Sequence, residues 1–127
     1  SGCFRLMIVQ FSVTCTPRPQ TRPRLSHRHA FEPSFITEYK RLIRALGHNA
    51  MHGTAPLNGS LSIELNIRRN KKIDSRAFGD IDNHIKSVLD ALNGVCYVDD
   101  SQIAVVHVRK FQSKNEGIDI LLTDDFI

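Results

Sequence analysis

Apolar side chains recur along this chain in two different periods, and those periods mark out its elements. Residues 4–13 (FRLMIVQFSV) form an apolar run rich in β-branched side chains, which predicts a buried strand. Residues 34–47 place Phe35, Tyr39, Leu42, Ile43 and Leu46 on one helical stripe. Ser34, following Pro33, is the expected N-cap of that helix and Gly47 its expected stop. Leu61, Ile63, Leu65 and Ile67 then alternate with Ser62, Glu64, Asn66 and Arg68, the period of a half-buried strand. Helical spacing returns at Ile85, Val88, Leu89 and Leu92, predicting a second helix over 83–93 ended by Asn93-Gly94. Asp99-Asp100-Ser101 reads as a turn, and residues 102–111 and 117–123 as two strands joined by a hairpin loop at 113–117. The order β-α-β-α-β-β, with an antiparallel C-terminal hairpin, predicts an α+β domain with two helices on a mixed sheet.

Length and composition narrow the class without changing that picture. A chain of 127 residues is the size of a single domain, here residues 1–127, and 41% apolar with 24% charged side chains excludes wholesale disorder. Neither repeats nor a linker divide it. No apolar run approaches the ~18 residues that span a bilayer, and the N-terminus has no secretory pattern, so no membrane partner is expected. Cys3, Cys15 and Cys96 are odd in number, widely spaced and form no C-x-x-C, which argues against a disulfide framework or a zinc site. A reducing cytoplasm is the expected compartment.

Charge adds more. Residues 1–79 hold 13 Lys/Arg against 4 Asp/Glu, whereas residues 80–127 hold 4 against 9. Such asymmetry suits a protein that grips a polyanion and also chelates a cation; it equally suits a plain solubilising surface. Residues 14–33 carry Pro17, Pro19, Pro23 and Pro33 among Arg18, Arg22, Arg24 and Arg28. Proline fixes φ and removes a donor, so this stretch is expected to be an extended basic loop or ragged hairpin.

The candidate chemistry lies in residues 80–100. Asp80 and Asp82, two apart before a helix, would leave one face together if that segment is extended, and could then converge on one cation. Lys86 lies one turn beyond Asp82, and Asp90 one turn beyond Lys86. Taken alone, Asp82 could serve as an N-cap, and Asp82–Lys86–Asp90 as a surface ion-pair ladder. Joined by Asp99-Asp100, these carboxylates would repel unless a cation neutralised them. Hard oxygen donors of this kind suit Mg²⁺, which also coordinates phosphate and activates water for displacement at phosphorus. An EF-hand starting at Asp80 would need Gly and Glu where Ile85 and Ala91 stand. An aspartyl-phosphate site would need an apolar strand where Arg76-Ala77-Phe78-Gly79 precedes Asp80.

The block Asp80-x-Asp82-Asn83-x-x-Lys86-x-x-x-Asp90-Ala91-Leu92-Asn93-Gly94, followed by Asp99-Asp100, resembles the signature of the RusA family of Holliday-junction resolvases. The loop Pro19-x-x-Arg22-Pro23-Arg24 is similar to that family's N-terminal pattern, and the resemblance covers essentially the whole chain. It implies a Mg²⁺-dependent homodimeric endonuclease, with Mn²⁺ as a possible substitute, that cuts four-way DNA junctions by paired symmetric nicks. By motif position it implies Asp80, Asp82 and Asp100 as metal-binding carboxylates and Lys86 as the catalytic lysine. Asn83 would orient an Asp or contact phosphate, Asp90 would position Lys86, and Asp99 would stand behind the metal ligands or form the turn. His84 occupies a slot that is commonly apolar in such proteins, so it is expected to be a packed or exposed substitution, or a contact to DNA, and not a metal ligand.

Arg18, Arg22, Arg24 and Arg28 in the Pro-stiffened loop, with Arg69, Lys71, Lys72 and Arg76 beside the carboxylates, are the expected DNA contacts. Arg68, His27 and His29 are further basic groups that would touch DNA or simply decorate the surface. Phe31, Phe35 and Phe78 would stack on bases or belong to the core, with Phe78 expected near the site; Cys96 and Tyr97 read as packing. Two other functions compete: a degenerate module that grips branched DNA without cutting, and a Mg²⁺-dependent nucleotide phosphohydrolase. Retention of Asp80, Asp82, Lys86 and Asp100 argues against the first. The basic half and the lack of a Gly-rich phosphate loop argue against the second.

Overall fold

The computed structural model describes residues 8–21, 24–26 and 29–124. Strand β1 (Ile8–Thr14) leads through the proline-rich segment to a short antiparallel pair, β2 (Arg24–Ser26) and β3 (His29–Phe31). Helix α1 (Ser34–Ala50) and strand β4 (Leu61–Arg69) follow, then helix α2 (Ile81–Leu92). A single 3₁₀ turn over Asp100–Gln102 opens strand β5 (Ile103–Gln112), and β6 (Gly117–Thr123) completes the fold. The result is the expected α+β domain, a mixed four-stranded sheet with two helices.

Both helices pack on one face of the sheet, α1 against β1 and α2 against β5. That face carries Ile63, Leu65 and Ile67 of β4, Ile118, Ile120 and Leu122 of β6, and Val9 and Val13 of β1, all buried with Tyr39, Ile43, Val88 and Leu92. Cys96 and Tyr97 join this core as expected, Tyr97 through a 2.5 Å hydrogen bond from its hydroxyl to the Leu89 carbonyl. Cys15 and Cys96 are free thiols. No helix among the described residues is long and apolar enough to cross a membrane.

Three expectations are corrected. The last two strands do not form a hairpin: the sheet order is β1-β6-β4-β5, so β4 lies between them, parallel to β5 and antiparallel to β6. The reason lies in burial. β4 buries its apolar residues completely and takes a central place, while the more exposed β5 accepts an edge. The 113–116 link crosses the end of β4 and is fastened there by Ser113 N–H to the Arg69 carbonyl and Asn70 N–H to Glu116. Next, α1 runs through Gly47 to Ala50 instead of stopping. A Cβ at Gly47 would lie 2.7 Å from Leu92 Cδ2, so this glycine lets the two helices touch. Finally, the buried stripe of α1 is Ile36, Tyr39, Ile43 and Gly47; Phe35 and Leu42 face solvent, and Ser34 provides no side-chain cap.

Candidate active site

The segment between β4 and α2 delivers the signature residues to the N-terminus of α2. Asp80 takes the N-cap position in an extended conformation, yet its side chain makes no capping hydrogen bond. Asp82 lies in the first turn and Lys86 one turn further on, both exposed. Among the described residues Lys86 forms no ion pair, which leaves its ammonium available to an incoming anion. The positive end of the helix dipole favours the two carboxylates beside it.

Asp100 is exposed and opens the 3₁₀ turn. Asp99 forms the turn: its carboxylate accepts from Ser101 N–H at 3.0 Å, while Asp99 N–H donates to Gln102 Oε1 at 3.0 Å. Among the described residues no three His, Cys, Asp or Glu side chains stand close enough together to hold one ion. The condition for Asp80 and Asp82 to leave one extended face is not met, because only Asp80 is extended and Asp82 is already helical. Their chemistry nonetheless fits a hard divalent cation, since all three are exposed carboxylate oxygen donors.

A buried clamp fixes the approach to Asp80. The Phe78 carbonyl accepts from Arg69 Nη1 at 2.7 Å and from His84 Nε2 at 2.7 Å, and Arg69 also donates to the Ala77 carbonyl at 2.9 Å. Arg69 is therefore not an exposed phosphate contact. It continues the alternation of Leu61, Ile63, Leu65 and Ile67, and that period points it inward. His84 is fully buried, packed edge-on to Phe78 with ring centroids 5.7 Å apart. Burial pushes its pKa down to about 4, with Arg69 and Lys110 acting in the same direction against the Phe78 hydrogen bond. Phe78 adjoins Asp80 as expected but is itself buried, under Lys110, and offers no face to a base. Gly79 completes the turn at φ +98°, where a Cβ would lie 2.6 Å from Pro19 Cγ.

Asp90 does not position Lys86. It pairs with Lys40 of α1 at 2.9 Å, and Lys40 also donates to Glu32 at 2.6 Å. Lys40 and Glu32 had no signal in the sequence, because the partners that give them meaning lie 8 and 50 residues apart. Asn83 offers its backbone carbonyl to Gln20 N–H at 2.9 Å.

The expected DNA contacts divide by position. Lys71, Lys72 and Arg76 are exposed in the turn before Asp80. Arg18 lies over the Phe35 ring, 5.2 Å from its centroid. Arg68 is half-buried and paired with Asp119. Arg22, Arg28 and His27 lie outside the described residues, as do the side chains of Arg24 and His29.

Comparison with known proteins bears on the family of the chain. An uncharacterized protein, YqaN of Bacillus subtilis (strain 168), is 27% identical over 137 residues, covering 91% of this chain and 96% of that protein. The family model described as endodeoxyribonuclease RusA matches residues 14–123, a span running from the end of β1 to the end of β6. With the Asp80–Lys86 block and Asp99-Asp100 inside that span, the chain belongs to the RusA family of endodeoxyribonucleases.

Proposed function

We propose that this protein is a divalent-metal-dependent endonuclease that resolves four-way DNA junctions by paired, symmetric nicks. The RusA family acts on branched DNA, and its nucleases are generally divalent-metal dependent. The observation that carries the finer reading is the state of the α2 N-terminus. Asp80 caps nothing, Asp82 and Asp100 are exposed, and Lys86 is unpaired among the described residues. Asp82 and Lys86 stand four residues apart on α2, where an ion pair could form, and make none among the described residues.

In this reading Asp80, Asp82 and Asp100 are the ligands that draw together around Mg²⁺ when it binds, with Mn²⁺ an acceptable substitute. When bound, the metal supplies a nucleophilic water and neutralises phosphate charge. Lys86 stabilises the negative charge that grows on the phosphoryl oxygens during displacement. Asn83 orients an aspartate or contacts phosphate. Lys71, Lys72, Arg76, Arg18 and the basic residues Arg22, Arg24 and Arg28 hold the DNA backbone. A homodimer matches the two-fold symmetry of the junction, one cluster per strand; sedimentation at working concentration reads its mass.

The test uses labelled four-way junctions beside duplex and single-stranded controls, with and without Mg²⁺. Wild type is expected to nick the junction symmetrically and only with metal. Asp80→Asn is expected to bind the junction at least as tightly, because a repelling charge is gone, and to lose cleavage. Binding without cleavage by wild type in every divalent metal would replace this reading with that of a binding module.

A further inference from the structure

Gln20 and Glu32 flank the basic segment, and both are tied to the helix that carries the signature residues, Glu32 through Lys40. On the first side, Gln20 N–H donates to the Asn83 carbonyl at 2.9 Å, and Pro19 lies against Gly79. On the second, Glu32 is held by Lys40 at 2.6 Å and by Thr37 Oγ1 at 2.9 Å. The two flanks are joined to each other, since Gln20 Nε2 donates to Glu32 at 3.0 Å. Lys40 then reaches across to Asp90 on α2 at 2.9 Å.

Lys40 is the hub of this arrangement. Its side chain is only 15% exposed and bridges two carboxylates, those of Glu32 and of Asp90 on α2. Burial lowers the Lys40 pKa, but its hydrogen bonds to Glu32 and Asp90 outweigh that and raise it, so the ammonium stays charged. Without it, Glu32 and Asp90 would lose the cation between them and repel each other.

We infer that Lys40 is a positioning residue: by bridging Glu32 and Asp90 it ties the chain at Glu32 to α2, so that DNA gripped by the basic residues before Glu32 meets the cutting helix in one register and the cut falls at a defined phosphate. The inference rests on the reading that α2 cuts DNA held by those basic residues. Displacements near 1 Å at a reacting centre change rates by large factors, so a loosened tie appears in where and how fast the strand is cut.

The experiment maps nick positions at single-nucleotide resolution, with junction affinity measured alongside, for wild type, Lys40→Met, Asp90→Asn and Lys40→Arg. Lys40→Met is expected to bind the junction within about twofold of wild type, while cutting at the main phosphate slows about tenfold and nicks spread to neighbouring phosphates. Asp90→Asn, which removes the α2 end of the bridge and keeps the Lys40–Glu32 pair, is expected to spread the nicks in the same way. Lys40→Arg, which can still bridge two carboxylates, restores the single position. An unchanged nick map in both Lys40→Met and Asp90→Asn overturns the inference, as does a defect that Lys40→Arg fails to restore. If Lys40→Met does not fold, the exposed Asp90→Asn change decides alone. Wild type inert on junctions would instead remove the functional reading on which this depends.

Discussion

Asp119 sits beside Arg68 on the sheet face that the helices leave uncovered, and Ser12 Oγ donates to it at 2.7 Å. Burial raises its pKa, but the Arg68 and Ser12 hydrogen bonds outweigh that and hold the carboxyl below its ordinary 3.8. The unfolded chain therefore binds the proton first as pH falls. The stabilisation is complete above about pH 4 and is lost as pH drops through the folded value. Thermal melts between pH 7 and pH 2.5 are expected to show a shallower acid loss for Arg68→Met than for wild type; parallel curves would mean the pair contributes nothing. Other single residues were legible to different degrees. The inward turn of Arg69 was written in its period-two spacing from Ile67, and the burial of His84 in its four-residue spacing from Val88. Charge and polarity obscured both. The Lys40–Asp90 pair had no local trace, since it forms only when α1 and α2 pack.

At the level of elements, the contact between α1 and α2 depends on Gly47. Nothing larger than hydrogen fits comfortably there, with Leu92 Cδ2 2.7 Å and Cys96 Sγ 3.4 Å from an added Cβ. Gly47→Val is expected to lower stability by about 1–3 kcal/mol through overpacking, read as a lower urea midpoint with unchanged slope. A neutral or stabilising result would show that the helices can separate without loss. The sequence marked this glycine as a helix stop because local rules see a glycine after a stripe and cannot see the partner helix. Among the described residues the strands of the main sheet fall within a residue of where the pattern put them, residues 4–7 of the first lying outside that range, yet their neighbours were not foreseen. Period two says which face is buried and is silent about which strand lies alongside, so the C-terminal pair was joined as a hairpin when β4 in fact separates them.

Taken whole, the molecule sets Lys71, Lys72 and Arg76 on an exposed turn directly before Asp80, at the mouth of the helix that carries Lys86. If this turn grips the DNA backbone, each phosphate contact releases counterions, and affinity falls linearly with salt on logarithmic axes. Replacing Lys71 and Lys72 with Gln is expected to weaken junction binding and to reduce that slope by roughly one to two. An unchanged slope would take the turn out of the interface.

The sheet order has a consequence for how the protein comes into being. β6 stands between β1 and β4, so the earliest strand described and the central one meet no common neighbour until Gly117–Thr123 exists. Pairing across so many residues is slow to close, and a nascent chain halted before Gly117 can pair β4 with β5 but leaves β1 and the inner edge of β4 unpaired. The carboxylates and Lys86 leave the ribosome well before the frame that orients them. A copy halted there holds Asp80, Asp82, Lys86 and Asp100 without β6, the strand that joins β1 to the sheet beneath them.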